Sequence, residues 1–242
     1  MQIIPLKEGN YSVDKNKKFT LITADNQSVL KGLNVGVQPF LIITDDDFIL
    51  LDTGLGGLVN EIPLIHLLLA KEHIKPEQIT KLLISHLHKD HVLGIGHFFE
   101  NRFIPNFPNA KIYIQTREWD YVKEQKGNTS YLFEHLEETI KLPNIEWMTD
   151  DKGQITPEIY YEVVGGHTPF HQVFLIKENE QIAFYGGDNL PQTGYLKYHF
   201  AYKNDFDGKK AMNWREQWKI LAEKEHWHIL LYHDVENAVV QL

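Results

Sequence analysis

The segment Ser85-His86-Leu87-His88-Lys89-Asp90-His91 constrains this chain more than any other. Four side chains able to bind a metal fall within six positions, directly after the apolar run Leu82–Ser85 and just before Gly94 and Gly96. In an extended backbone, residues two apart project to the same side, so His86 and His88 can share one ion. The turn that follows can aim Asp90 and His91 at a second. A chance polar loop rarely gathers so many ligands at the end of a buried strand.

Composition limits what such a site can be made of. The 242 residues include 13 histidines and no cysteine. Disulfides, cysteine-ligated zinc or iron–sulfur centres and a thiol nucleophile are therefore excluded. Any transition-metal site must use imidazole and carboxylate, which suit zinc, manganese or iron. The net charge of −9 argues against a nucleic-acid surface, which needs clustered Lys and Arg. Residues 1–20 lack the apolar core of a secretory signal, and Ile62–Ala70 is too short to span a membrane. The chain reads as a cytoplasmic protein with no membrane partner.

No linker, repeat or low-complexity tract divides the sequence, so 1–242 reads as a single domain. Strands are predicted at Phe40–Thr44, Phe48–Leu51, Leu82–Ser85, Lys111–Gln115, Ile145–Met148, Ile159–Val164, Gln172–Ile176, Ile182–Tyr185 and Ile229–Tyr232. Helices are predicted at Leu58–His73, Arg117–Lys126 and Tyr131–Leu142. A long one should start near Asp205 or Asp207 and run to about Lys224, its acidic front favoured by the helix dipole. Strand groups in each half, each followed by helices, predict an α/β architecture of two packed sheets with helices outside.

The ligand segment resembles the HxHxDH signature of the metallo-β-lactamase-fold hydrolases. Four more motifs occur in that family's order: Leu50-Leu51-Asp52-Thr53-Gly54, Gly165-Gly166-His167-Thr168-Pro169, Gly187-Asp188 and Leu231-Tyr232-His233-Asp234. Each alone is an ordinary turn or strand end, but five in register over residues 40–234 are specific. The resemblance implies an αββα four-layer sandwich of two mixed sheets packed face to face. It also implies a dinuclear site, with His86, His88 and His167 on one ion and Asp90, His91 and His233 on the other. Asp188 would bridge the two, and Asp52 would orient the ligand loop by hydrogen bonds. Two Zn²⁺ ions are the expected cofactors, with Mn or Fe as alternatives. Such a pair, about 3.5–4 Å apart, can share a hydroxide acidified to near neutrality, which serves as the nucleophile. Asp90 or Asp188 would orient that water or carry the leaving-group proton.

Departures from relatives narrow the reaction. The best-known zinc β-lactamases carry Cys where this chain has Asp188, and the di-iron oxidoreductases carry Glu in place of His88. Glyoxalase II enzymes have a Cys-and-Arg segment where this chain reads Asp188-Asn189-Leu190-Pro191. The acyl-homoserine lactonases share Gly-His-Thr-Pro and the bridging Asp, but have Tyr at Pro191 and Gly at Phe170. The expected activity is hydrolysis of a small ester, lactone or thioester, with a phosphodiesterase or a non-catalytic metal-binding protein as alternatives. Two divalent ions offset about four negative charges, so a neutral or anionic small-molecule substrate is expected. Phe170, Tyr195, Tyr198 and His199 are candidate pocket residues, and the aromatic segment 189–202 could equally pack a helix or a homodimer contact. Trp119 and Tyr121 raise the same question with less support. The other histidines, His66, His73, His97, His135, His171, His226 and His228, read as structural or as supports for the ligands.

Overall fold

The computed structural model describes all residues 1–242. Its centre is two mixed six-stranded sheets. The first runs in spatial order Gln2–Pro5, Phe40–Ile43, Phe48–Leu51, Lys81–Leu83, Lys111–Gln115 and Ile145–Met148. Its first three strands pair antiparallel and the rest parallel. The second runs Lys152–Gln154, Ile159–Val163, Gln172–Glu178, Gln181–Tyr185, His228–Leu230 and Val239–Gln241, with one parallel pair joining Gln181–Tyr185 to His228–Leu230.

Strand alternation decides the layers. Phe40, Ile42, Ile49 and Leu51 face inward against Ile159, Phe174, Ile176 and Leu230 of the second sheet, forming the core between the sheets. Their neighbours Leu41 and Leu50 face the other way and pack on helix residues Ile65, Leu68, Leu69, Val122 and Leu136. On the far side, Val173, Phe184 and Ile229 meet Trp218 and Ala222 of the Gly208–Glu225 helix. Both faces of each sheet are thus buried, which is why these strands read as continuous apolar runs. The result is the expected αββα sandwich. No helix is long and apolar enough to cross a membrane.

Most boundaries fall within three residues of expectation, and Asp207 caps the long helix by accepting from the Lys210 amide at 3.0 Å. The expected Leu58–His73 helix is shorter. Leu58–Val59 and Ile62–Pro63 form a hairpin, and only Leu64–Lys71 is helical. Asn60 and Glu61 take left-handed φ values of 50° and 66°, the geometry of a tight hairpin turn, and Pro63 bars an earlier helix start. The sequence reading also assigns no strands before residue 40. The structure places there a three-stranded sheet of Gly9–Val13, Phe19–Leu21 and Leu33–Val37. Most of its residues are half-exposed or exposed, so the sequence carries no apolar run to announce them.

Candidate metal centre

The five motifs lie at the ends of sheet strands or in the loops and short helical turns just after them, where open α/β sheets place their ligands. His86-Leu87-His88 continues in an extended path from Lys81–Leu83. Leu87 points into the core, while His86 and His88 face the same cleft. One helical turn, Lys89–Val92, then redirects Asp90 and His91.

The structure brings two groups together: His86, His88, His167 and Asp188, and beside them Asp90, His91 and His233. In the first, His88 Nδ1 lies 2.9 Å from His86 Nε2 and 3.0 Å from His167 Nε2. Burial and the neighbouring imidazoles hold His86 and His88 well below the usual histidine range, so both are neutral and offer lone pairs. Asp188 lies between the groups. Its Oδ2 is 3.2 Å from His167 Nε2, and its Oδ1 is 3.2 Å from His91 Nε2 and 3.1 Å from His233 Nε2. Asp90 Oδ2 approaches His233 Nε2 at 3.3 Å and His91 Nε2 at 3.6 Å.

This arrangement fits a bound cation. His91 Nε2 and Asp188 Oδ1 are fully buried, yet neither has a hydrogen-bond partner. His88 Nδ1 lies within 3.0 Å of two other imidazole nitrogens, and its single lone pair or proton cannot satisfy both. Burial opposes charge on His91 and His233, but Asp188 and Asp90 outweigh it and raise both well above the usual histidine range. Positive charge is drawn to the point where the ligand atoms converge. Imidazole nitrogen with carboxylate oxygen is the donor set of zinc and its neighbours.

The far side of most ligand rings is held by an acceptor, which fixes the tautomer and aims the other nitrogen inward. His167 Nδ1 meets Asp205 Oδ1 at 2.8 Å, and His233 Nδ1 meets the Gly36 carbonyl at 2.7 Å. His91 Nδ1 meets Asp52 Oδ2 at 2.7 Å. Asp52, wholly buried and at a left-handed φ of 55°, also accepts from the Ser85 amide at 2.7 Å, the Ser85 hydroxyl at 2.6 Å and the Tyr185 hydroxyl at 2.5 Å. Holding an aspartate in that backbone region costs about 1 kcal/mol, and four hydrogen bonds offset it. His171 packs its ring 5.0 Å from His86 and accepts from the Asp188 amide at 3.2 Å. A side chain on Gly187 would put Cβ 2.6 Å from His171 Nε2, so this turn requires glycine.

Sequence reasoning missed several of these supports. Asp205 read as a helix start and Tyr185 as an ordinary strand residue. Glu118, buried on the Thr116–Lys123 helix, was not singled out. It accepts from Thr168 Oγ1 at 2.9 Å, and burial raises its carboxyl to about 7. Only tertiary contact brings such residues to the site.

The candidate pocket residues separate. A cavity of about 310 Å³ opens over the ligands, lined among others by Tyr195, Phe200 and Tyr202. Arg215 holds this wall from behind, donating to the carbonyls of Asn189 at 2.9 Å and Phe200 at 2.5 Å. Tyr198 is 68% exposed, and His199 pairs with Glu216 at 3.0 Å on the helix side. Phe170 stacks under the Arg117 guanidinium, away from the cavity. Tyr121 meets Phe206, and Trp119 packs on the first sheet's outer core. Among the remaining histidines, His66 and His135 bond the carbonyls of Asn106 and Gly96, and His97 bonds the Asn106 side chain.

Comparison with known proteins agrees with this architecture. An N-acyl homoserine lactonase of Bacillus cereus is 26% identical, over 95% of this chain and 91% of its own. One of Bacillus thuringiensis is 26% identical over 86% and 84%. Among solved structures, a probable metal-dependent hydrolase from Staphylococcus aureus superposes with a TM-score of 0.77 at 21% identity, covering 99% of this chain and 91% of that one. AidC, a dizinc quorum-quenching lactonase solved with N-hexanoyl-L-homoserine product, gives 0.71 at 19% identity, covering 98% and 88%. At such identities the structures speak for the fold alone. The family model described as the metallo-beta-lactamase superfamily matches residues 34–233, every motif from Asp52 to His233 included, and the chain belongs to that superfamily.

Proposed function

We propose that the protein is a dinuclear zinc hydrolase of a small ester-type substrate, with lactones the first class to test. The observation that carries this reading is Asp188, whose two carboxylate oxygens are presented to different ligand groups. His86, His88 and His167 would hold one ion, and Asp90, His91 and His233 the other. Bound there, the pair would supply a water acidified to near neutrality and a polarised acyl oxygen.

The chain's own residues do the rest. Asp52, Asp205 and the Gly36 carbonyl keep three imidazoles in one tautomer and one orientation. The imidazoles of His91 and His233 keep Asp90 ionised against the effect of burial. Asp90 and Asp188 are therefore carboxylates at the cleft floor, able to orient a water and to relay its proton to the departing oxygen. No serine or cysteine nucleophile is required. The cavity wall of Tyr195 and Phe200 supplies apolar contact for an acyl group and keeps bulk water from it. The lactonase relatives support the lactone as first candidate.

A panel of lactones, thioesters, simple esters and phosphodiesters, run against the protein and its His88→Ala variant, tests the reading. Lactone or ester turnover that the variant loses is expected. Turnover equal in the variant, or confined to phosphodiesters, would overturn it.

A further inference from the structure

The cavity over the ligand groups has two chemically different ends. Its floor carries the ligands, with Asp90, Asp188 and Asp205 as the acidic groups. Above them the lining is apolar, from Val13, Phe19, Leu33 and Val35 of the N-terminal sheet. Beyond lies a second hollow of about 630 Å³ that shares Val13, Lys17, Leu33 and Tyr202 with the first. Lys15, Lys17, Lys18 and Lys31 line it, against one acidic residue, Asp14. That carboxylate is already engaged, accepting from the amides of Asn16 at 2.8 Å and Lys18 at 2.9 Å to close the hairpin turn. The lysine ion pairs of the molecule lie elsewhere, at Lys81, Lys111, Lys123, Lys141 and Lys219.

Of the four ammonium groups around this hollow, Lys15 and Lys18 share the charge of Asp14, which leaves Lys17 and Lys31 without a carboxylate partner in a chain of net charge −9. Lys17 is the pivotal one. It is half-buried, lines both hollows and sits at a left-handed φ of 61°, where glycine or asparagine would be cheaper. Turn geometry therefore does not explain a lysine there. Lys89, on the wall of the first cavity, is by contrast engaged, donating to the Thr129 carbonyl at 2.7 Å while lying 5.9 Å above the Phe19 ring. Floor, apolar stretch and basic mouth follow one another, and this order matches a substrate with a reacting group, an apolar spacer and an anion.

We infer that the N-terminal hairpin is a specificity element, with Lys17 and Lys31 recognising a carboxylate or phosphate at the end of the substrate remote from the scissile bond. This rests on the hydrolase reading of the floor and adds the substrate class. It also sets the chain apart from an enzyme for plain N-acyl lactones, whose acyl tails carry no charge.

Binding of matched alkyl methyl ketones ending in a methyl, carboxylate or phosphate group, measured calorimetrically on the zinc-loaded protein, tests this. An anionic tail should bind at least about fivefold tighter than the methyl tail at low salt, with the advantage shrinking as salt is added. Whichever anion binds better names the source. In Lys17→Gln/Lys31→Gln the advantage should vanish while the methyl ketone binds as before. Equal binding of all three ketones, or none, would overturn the inference. So would an advantage that survives in the double variant, since the anion would then be recognised by groups other than Lys17 and Lys31. The ketones are not hydrolysed, so this result is independent of the bond class, which the turnover panel decides.

Discussion

The floor and the mouth of the cleft are built on opposite principles. At the floor, side chains are buried and their far atoms are held, as Asp52 shows with four hydrogen bonds. At the mouth, half-exposed strands and an aromatic segment present long side chains with few fixed partners. The difference teaches where each property resides. Chemistry is set by preorganised groups that tolerate no displacement, and substrate choice by a surface that can change without disturbing them.

Substitutions at the floor should therefore cost far more than those at the mouth. The largest effect is expected for Asp188→Asn, which removes the charge shared by the two ligand groups. Turnover should fall by more than about a hundredfold and metal content should drop, since even supporting residues cost 10–100-fold when lost. Unchanged metal content by elemental analysis would break the claim that this carboxylate joins the groups. Asp52→Asn should lower metal affinity by about 10–100-fold in chelator competition, because the amide cannot accept all four donors. An affinity within about twofold of wild type would mean that the buried network does not position His91.

At the mouth, Phe19→Ala removes an apolar wall and should raise KM about fivefold with kcat and metal content unchanged, the equivalent of about 1 kcal/mol. A matching loss in kcat would show that mouth and floor are coupled.

The smallest effect concerns Glu8, whose carboxylate accepts from the Leu55 amide at 3.1 Å beneath the Asp52 loop. Burial raises it from 4.5 to about 7. Between those values the folded chain keeps a proton that the unfolded chain releases, so this group's contribution to stability falls as pH rises. Glu8→Gln stays neutral and should gain at least about 2 °C in Tm relative to wild type between pH 4.5 and 7. Parallel Tm curves would remove Glu8 from the account.

The same contrast explains what could be read in the sequence. The candidate ligand groups were legible because their members occur in short contiguous motifs at the ends of apolar strands, as in His86–His91 and Gly165–His167. The sandwich was legible because both faces of its strands are buried. The mouth was not, since Gly9–Val13 pairs with Leu33–Val37 across an intervening hairpin and neither strand is apolar throughout. Asp205, Tyr185 and Glu118 acquire their roles only through contacts distant in sequence, at His167, Asp52 and Thr168.

The central claim is that two ligand groups joined by Asp188 hold two ions. Elemental analysis of protein purified without added metal measures this directly. Two zinc ions per chain, with one or both lost in Asp188→Asn, is the predicted result. Fewer than one metal ion per wild-type chain would contradict it.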